Sequence, residues 1–433
     1  MRSTFHALTI RNYRLYAGGS VISNVGTWLQ RVAQDWLVLL LSGTSGTALG
    51  ITTGLQFLPI LLLTPYAGLL ADRLPKRAMM MMTQATMALF ALVLGLLAVS
   101  GVARTWHVYV LAFLFGIGNA FDIPARQSFV VEMVGKDDLA NAVGLNSASF
   151  NAARVVGPAA AGGLISLFGG GIVATGWVIL LNAASYAAVI FSLWRLRTDL
   201  LHTPVRAPRE PRMIRAGVRY VRSRPDLTMI LAVMFFAGTF GINFPVTLAL
   251  MATQVYHKGA GQFGLLGSVM AIGSLAGALV AAHRGNPRHR LVVVAALLFA
   301  VTEIVAGLMP SYLTFAMVLP VLGVTALTMI TAANATMQLS VTPDMRGRVS
   351  ALFMMIFMGG TPLGAPIMGW VGQNFGARWT LIGGGLVVLA GTILAIAMFA
   401  RSSGIVVRPK LDPRPHVHVY TREEYSHLRD LAA

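Results

Sequence analysis

The sequence has no cysteine among its 433 residues, which excludes disulfides, thiolate nucleophiles and Cys-ligated metals. Charge is scarce too: only 11% of the residues are Asp, Glu, Lys or Arg, against about a quarter in a soluble domain. That shortage excludes an ordinary soluble enzyme. The nine histidines show no zinc-type spacing inside an apolar segment, and no Ser/His/Asp set, phosphate-binding loop or nucleotide motif is visible. No enzymatic activity, metal or cofactor is therefore expected. What the chain has in excess is apolar side chain, 56% of its residues. At about 20 residues per crossing, this length accommodates roughly twelve spanning helices with short loops.

Apolar stretches lie near 15–41, 47–70, 78–100, 106–124, 140–168 and 172–195, and again near 227–256, 261–282, 290–309, 312–335, 348–371 and 377–400. The expectation is an all-α membrane protein of twelve helices in two six-helix bundles, 1–195 and 227–400, joined by a linker at 196–226 and followed by a tail at 401–433. The first stretch is interrupted by Arg31, Gln34 and Asp35 and reads as a helix, not a cleavable leader.

Lys and Arg total 33 against 15 Asp and Glu, and their placement distinguishes a polyanion partner from a membrane. With the N-terminus in the cytosol, only Arg104, Lys258 and Arg378 fall outside, Arg31 and Arg154 lie within helices, and all the others are inside. Both termini are thus expected in the cytosol, in the inner or plasma membrane of the cell, with the lipid bilayer and not nucleic acid as the partner of the charge. Trp106, Trp194, Trp370 and Trp379 stand near proposed helix ends, where an indole keeps its N–H wet. The linker carries Pro204, Pro208 and Pro211, then Arg212, Arg215, Arg219, Arg222 and Arg224 on an amphipathic helix lying on anionic lipid. The tail, with Pro409, Pro413, Pro415, His416 and His418, reads as a mobile cytosolic segment.

The halves repeat. An offset of 207 brings Asp137 onto Asp344, Leu145 onto Leu352, Phe150 onto Phe357, Gly157 onto Gly364, Gly162 onto Gly369, and Phe168-Gly169 onto Phe375-Gly376. Two bundles related by an axis along the membrane normal can rock about a central cavity and open it to each side in turn.

After the second stretch stands Gly68-Leu69-Leu70-Ala71-Asp72-Arg73-Leu74-Pro75-Lys76-Arg77, which resembles the loop two-three signature of the major facilitator superfamily. The resemblance implies a cytosolic gate in which Asp72 works with Arg73, Lys76 and Arg77 while Gly68 lets helices approach. A solvated charge cluster at a helix end is the alternative. The second half offers His283 and Arg284 at the matching place but no carboxylate. Helix five carries Gly157-Pro158, then Gly162-Gly163, similar to the Gly-Pro signature of that superfamily's exporters. Pro158 removes a backbone donor, and the glycines permit close packing on the opposite bundle.

Asn12-Tyr13-Arg14, Gln30-Arg31-Val32-Ala33-Gln34-Asp35-Trp36-Leu37, Pro124-Ala125-Arg126-Gln127, Asn146-Ser147-Ala148-Ser149-Phe150-Asn151 and Asn243-Phe244-Pro245 resemble the enterobactin-exporter-like branch, which includes macrolide and multidrug efflux proteins. The resemblance spans roughly 5–400 and implies proton-driven export of a hydrophobic or amphipathic drug, siderophore or other natural product. Where many such exporters carry an arginine in helix four, this chain has Ala112. A facilitator or importer of the same fold is the alternative within transport, and a non-transporting receptor or scaffold the alternative outside it.

Ionisable groups inside a bilayer are costly and mark function. Arg31 and Asp35, four apart on one face of helix one, form a candidate proton site, with a static ion pair as the alternative. Arg154 in helix five needs an anion, and Asp35 is the proposed partner. Glu303 is read as a packing or interfacial residue. Asp122 and Arg126, also four apart, are a second candidate gate pair or a local helix contact. Trp28, Gln34, Gln56, Asn119, Phe240, Asn243 and Asn334, with Asn24, Phe244 and Gln338 beside them, are the candidate cavity residues, each equally able to bond a neighbouring helix. The run Met79-Met80-Met81-Met82 fills space. A monomer, acting on a small-molecule substrate and protons, is expected.

Overall fold

The computed structural model describes residues 5–202, 213–283, 289–402, 405–410 and 416–421. The side chains of Asp72, Arg212, Arg215, His283, Arg284, His416 and His418 lie outside the described residues.

Fifteen α-helices are described. The first six are α1 (Arg11–Leu41), α2 (Gly46–Arg73), α3 (Lys76–Val99), α4 (Thr105–Val134), α5 (Leu139–Leu167) and α6 (Ile172–Trp194). The linker region contributes α7 (Met213–Arg222), a single short amphipathic helix. The second half holds α8 (Pro225–Phe236), α9 (Phe244–Leu250), α10 (Ala260–His283), α11 (His289–Leu308), α12 (Tyr312–Leu339), α13 (Pro343–Gly359), α14 (Thr361–Phe375) and α15 (Arg378–Ser402). Beyond α15, strand β1 (Ile405–Lys410) pairs antiparallel with β2 (His416–Thr421), within the tail expected to be a mobile cytosolic segment.

Among the described residues, ten helical stretches are long and apolar enough to cross a membrane. Helices α1 and α5, at 31 and 29 residues, are equally long but fall outside that set. Their sequences are richer in polar residues and glycine, which lowers their hydropathy. Elsewhere each expected apolar stretch is a helix, with three adjustments. Helix α4 continues past Pro124 to Val134. The stretch at 227–256 is broken into α8, a π-helical segment Ala237–Gly241, α9 and a second π segment Met251–Val255. The stretch at 348–371 is divided into α13 and α14 at Gly360.

The break after Gly241 has a local cause. Pro245 has no N–H to donate to the Gly241 carbonyl, so the helical ladder cannot run through Gly241-Ile242-Asn243-Phe244-Pro245. Such irregular backbone is tolerated at membrane depth only where protein or a cavity surrounds it.

Two pairs of helices join the halves: α5 packs on α10 and α2 on α14. The pairs are mutual counterparts, as the 207-residue repeat predicts. A Cβ on Gly162 would meet the Ala260 carbonyl at 2.3 Å, and one on Gly369 would meet the Gly46 carbonyl, also at 2.3 Å. The repeat extends to the helix ends, where Gly169 and Gly376 close α5 and α14 with φ of 102° and 97°, a conformation open to glycine and strained for other residues.

Candidate functional site

The end of the bundles where α1, α5 and α7 begin is the basic end, with Arg73, Lys76, Arg77, Arg195, Arg197, Arg222 and Arg224. At the opposite end the halves are sealed. Gln373 Oε1 accepts from the Gly46 N–H at 2.8 Å, and Gln254 Nε2 donates to the Thr44 carbonyl at 2.9 Å. The Trp36 ring stacks on Phe263 at 6.1 Å. Along the interface Gly264 approaches the Pro158 carbonyl, Gly50 the Ala365 carbonyl, and Gly54 the Pro366 ring, each too closely for a Cβ. Small residues let the backbones touch, which is how helices associate without a hydrophobic driving force. The spacings Gly46-x3-Gly50-x3-Gly54 and Gly261-x2-Gly264-x2-Gly267 announce this contact, and the sequence reading overlooked both.

Towards the basic end the fit loosens. A Cβ on Gly68, Gly144 or Gly347 would meet nothing within 4 Å, so Gly68 makes no close helix approach in this state. Three polar contacts at this end run within the first bundle. Lys76 Nζ pairs with Glu132 at 2.5 Å, His6 with Asp138 at 2.9 Å, and Arg77 donates to the Leu193 and Trp194 carbonyls at 2.7 and 2.9 Å. Arg77 thus caps the C-terminus of α6, favourable for a cation at a helix's negative end. Arg73 is exposed. The close contacts between the halves described here are thus concentrated at the end poor in basic residues.

Asp122 bridges helices inside the first bundle. One oxygen accepts from Thr83 Oγ1 at 2.9 Å and Gln84 Nε2 at 2.8 Å, the other from Arg126 at 3.0 and 3.1 Å. With both oxygens engaged on α3 and α4, the pair ties these helices together and makes no link between the bundles.

Of the three proposed coupling groups, Arg31 and Asp35 stand on α1 and Arg154 on α5; among the described residues Asp35 forms neither the static ion pair with Arg31 that was the alternative reading nor the proposed pair with Arg154. The Arg31 guanidinium lies over the Trp28 ring, 4.8 Å from its centre, a cation–π contact. Arg154 reaches across the interface to Ser274 Oγ on α10 at 3.4 Å. Asp35 is 8% exposed. On α5, Phe150, Arg154 and Gly157 share one face, and that face lies against Trp28: Phe150 is 5.7 Å from the indole, and a Cβ on Gly157 would strike the Trp28 Cβ. Gly157 thus packs within its own bundle, Gly162 on the opposite one, and Gly163 meets nothing.

The candidate cavity residues divide into two sets. Gln34 donates to Gln56 at 3.1 Å and Asn24 to Ser149 at 3.2 Å, while Gln30 pairs with Asn182, so three polar pairs hold α1 to α2, α5 and α6. Asn119 bonds the Phe115 carbonyl, and Gln338 donates to Asn334, within their own helices. Asn12 and Tyr13 likewise fasten α1 to Arg197 and to Ala142. Asn243, with Gly238, Ile242 and Pro245, faces Thr53 and Phe57 of α2 across a cavity of about 160 Å³ between the bundles. Phe240 is half-buried in the same bend. A larger groove of about 520 Å³ lies on the outer flank of α6, lined by apolar residues such as Trp177 and Leu181.

A family described as transmembrane secretion effector matches residues 2–417. The chain is similar to the multidrug efflux pump Tap of Mycolicibacterium fortuitum, 26% identical over 87% of this chain and 93% of that one. It is also similar to macrolide efflux protein A of Streptococcus pyogenes, 23% identical over 88% and 94%, and to the staphyloferrin A transporter of Staphylococcus aureus, 24% identical over 62% and 66%. In three dimensions it resembles a bacterial homologue of the human lysosomal transporter Spinster, solved inward-facing and unoccupied, with a TM-score of 0.70 at 16% identity over 90% and 98%. The nucleoside transporter NupG gives 0.67 at 12% identity over 90% and 99%. The structural likenesses agree with the helical fold, and the family and the relatives are transporters. The chain belongs to the transmembrane secretion effector family of the major facilitator superfamily, and is a multi-pass transporter of the cell membrane.

Proposed function

We propose that this transporter is a proton-coupled exporter of a hydrophobic or amphipathic small molecule, working by rocker-switch alternating access. In this reading the ten apolar spans together with α1 and α5 make twelve crossings, and both termini are cytosolic, because the loops at the basic end then satisfy the positive-inside rule. The observation that carries it is the asymmetry of the interface. Close glycine-to-backbone contacts between the halves lie at the end poor in Lys and Arg, whereas Gly68, Gly144 and Gly347 towards the basic end have no such neighbour, which favours a state that opens towards the side from which an exporter loads. The efflux names of the relatives Tap and macrolide efflux protein A, together with the staphyloferrin A transporter, favour a drug or natural product as cargo.

Asp35 is the proposed proton carrier. It is a nearly buried carboxylate without an ion-pair partner among the described residues, on the helix that also holds Arg31. A group so placed takes up or releases a proton as its surroundings change between the two states. The test is reconstitution in liposomes with an inward proton gradient, a panel of siderophores, macrolides and cationic dyes, and Asp35→Asn beside the native chain. Substrate-triggered proton movement lost in Asp35→Asn supports the reading. Flux that persists unchanged in the variant removes Asp35 from coupling. Substrate uptake driven by the reversed gradient would favour an importer, and tight binding with no flux a receptor.

A further inference from the structure

Glu303, on α11, is fully buried at 0% exposure, and neither of its carboxylate oxygens has a hydrogen-bond partner. By contrast, every oxygen of Asp122 is engaged. Of the packing and interfacial positions that the sequence suggests for Glu303, the side chain takes a buried one among the helices of the second half. Its head occupies a slot left by two glycines. A Cβ on Gly241 would lie 3.1 Å from Oε2, and one on Gly384 of α15 would lie 3.1 Å from Oε1. Phe299, Val388 and Met368 surround the same two glycines.

No charged side chain of the described elements packed against it faces Glu303. Asp226, at the start of α8, is paired with Arg224 at 2.7 Å and with His289 at 3.4 Å. Arg378, at the start of α15, donates to the Gly307 and Met309 carbonyls. Helix α12 holds no Asp, Glu, Lys or Arg, and neither do α9, α14 or the π segment. An ionised carboxylate in such surroundings costs several kcal/mol, so the neutral acid is the form the slot accepts. A metal cation would need several oxygen ligands, and the side chains around the slot, Phe299, Val388 and Met368, are apolar, with the Phe240 carbonyl near Gly384.

The neighbour of Glu303 is irregular backbone. Gly241 ends the π segment, and Pro245 deprives its carbonyl of a helical donor. The other side of this bend, at Gly238, Ile242 and Asn243, lines the 160 Å³ cavity against Thr53 and Phe57 of α2. One short segment therefore separates a buried, unpartnered carboxyl group from the surface along which the bundles part. Broken helices that line substrate or ion sites at the repeat interface are a device of secondary transporters.

We propose that Glu303 is a proton-binding site of the second bundle, gated by the bend at 237–243, so that movement of the bend against α2 exposes the carboxyl group and exchanges its proton. The proposal rests on the alternating-access reading and adds to Asp35 a proton site in the other half of the molecule.

The absence of cysteine makes the test direct, since label pairs can be introduced without background. Spin labels at Ala140→Cys and Ala351→Cys report separation across the basic end in the full-length protein in lipid. Infrared titration of the same protein follows protonated carboxyl groups. The expected result is that Glu303→Gln, which mimics the neutral acid, removes one titrating carboxyl band and holds the label distances at their low-pH distribution at every pH. Glu303→Asp should restore a band. Thermal unfolding in detergent establishes that each variant is folded. A set of titrating bands identical in Glu303→Gln and the native chain overturns the proposal. Loss of a band without any change in the pH response of the distances overturns the gating. If native label distances do not respond to pH while the band is lost in Glu303→Gln, proton-coupled alternating access fails and Glu303 remains a proton site.

Discussion

Trp36 of α1 and Phe263 of α10 stack at 6.1 Å with their planes 22° apart, a contact between the two halves of the molecule at the end poor in basic residues. It belongs to the state seen here and has to break if that end opens. Such a pair contributes about 0.5–1.5 kcal/mol beyond its buried area. Trp36→Ala and Phe263→Ala should each shift the balance towards the outward-open state by several-fold, read as longer distances between labels at Phe168→Cys and Lys258→Cys. Unchanged distances in both variants would show that the ring contact is incidental.

Gly264 and Gly163 offer a paired test of the sliding interface. A Cβ on Gly264 would sit 2.1 Å from the Pro158 carbonyl, and one on Gly163 would meet nothing within 4 Å. Overpacking costs about 1–3 kcal/mol, so Gly264→Ala should disfavour the closed outer end and lower transport about 5- to 100-fold, while Gly163→Ala transports normally. Proteoliposome flux measures both, and equal rates would contradict the contact.

Asp122 should behave as a structural node. Removing one partner of a buried, hydrogen-bonded pair costs about 3–5 kcal/mol. Asp122→Ala strands Arg126 and two donors on α3, so thermal unfolding in detergent should begin well below that of the native chain. A latch would leave stability unchanged and shift the label distances across the basic end.

Lys76 and Glu132 join α3 to α4 in a largely buried pair. Lys76→Ala and Glu132→Ala should each destabilise the first bundle by about 1–3 kcal/mol, as expected for charge-assisted bonds. The double variant should be less unstable than the two losses added together. Strict additivity in a double-mutant cycle would deny the pair.

How much of this was legible in the sequence varies with the range of the interaction. Helix positions follow from apolar runs, and Gly169 and Gly376 were foreshadowed by the 207-residue repeat, because each depends on neighbours in the chain. Site assignments resting on i, i+4 spacing fared differently at two places. Asp122 and Arg126 do bond along α4, yet Arg31 turns to Trp28 and leaves Asp35. The spacing brings both groups to one face, and the aromatic ring available there captures the guanidinium.

By itself the sequence determined a cysteine-free, positively charged, polytopic membrane chain with a duplicated core, because burying apolar side chain in lipid and keeping Lys and Arg on one side are rules that act on composition and order. Only the tertiary structure decided which polar residues meet. It turned Asp122 inward to α3, gave Arg77 to the end of α6, carried Arg154 to Ser274, and enclosed Glu303 behind Gly241 and Gly384. These partners come from helices far apart in the chain, and close glycine packing rather than local spacing sets the distances between them.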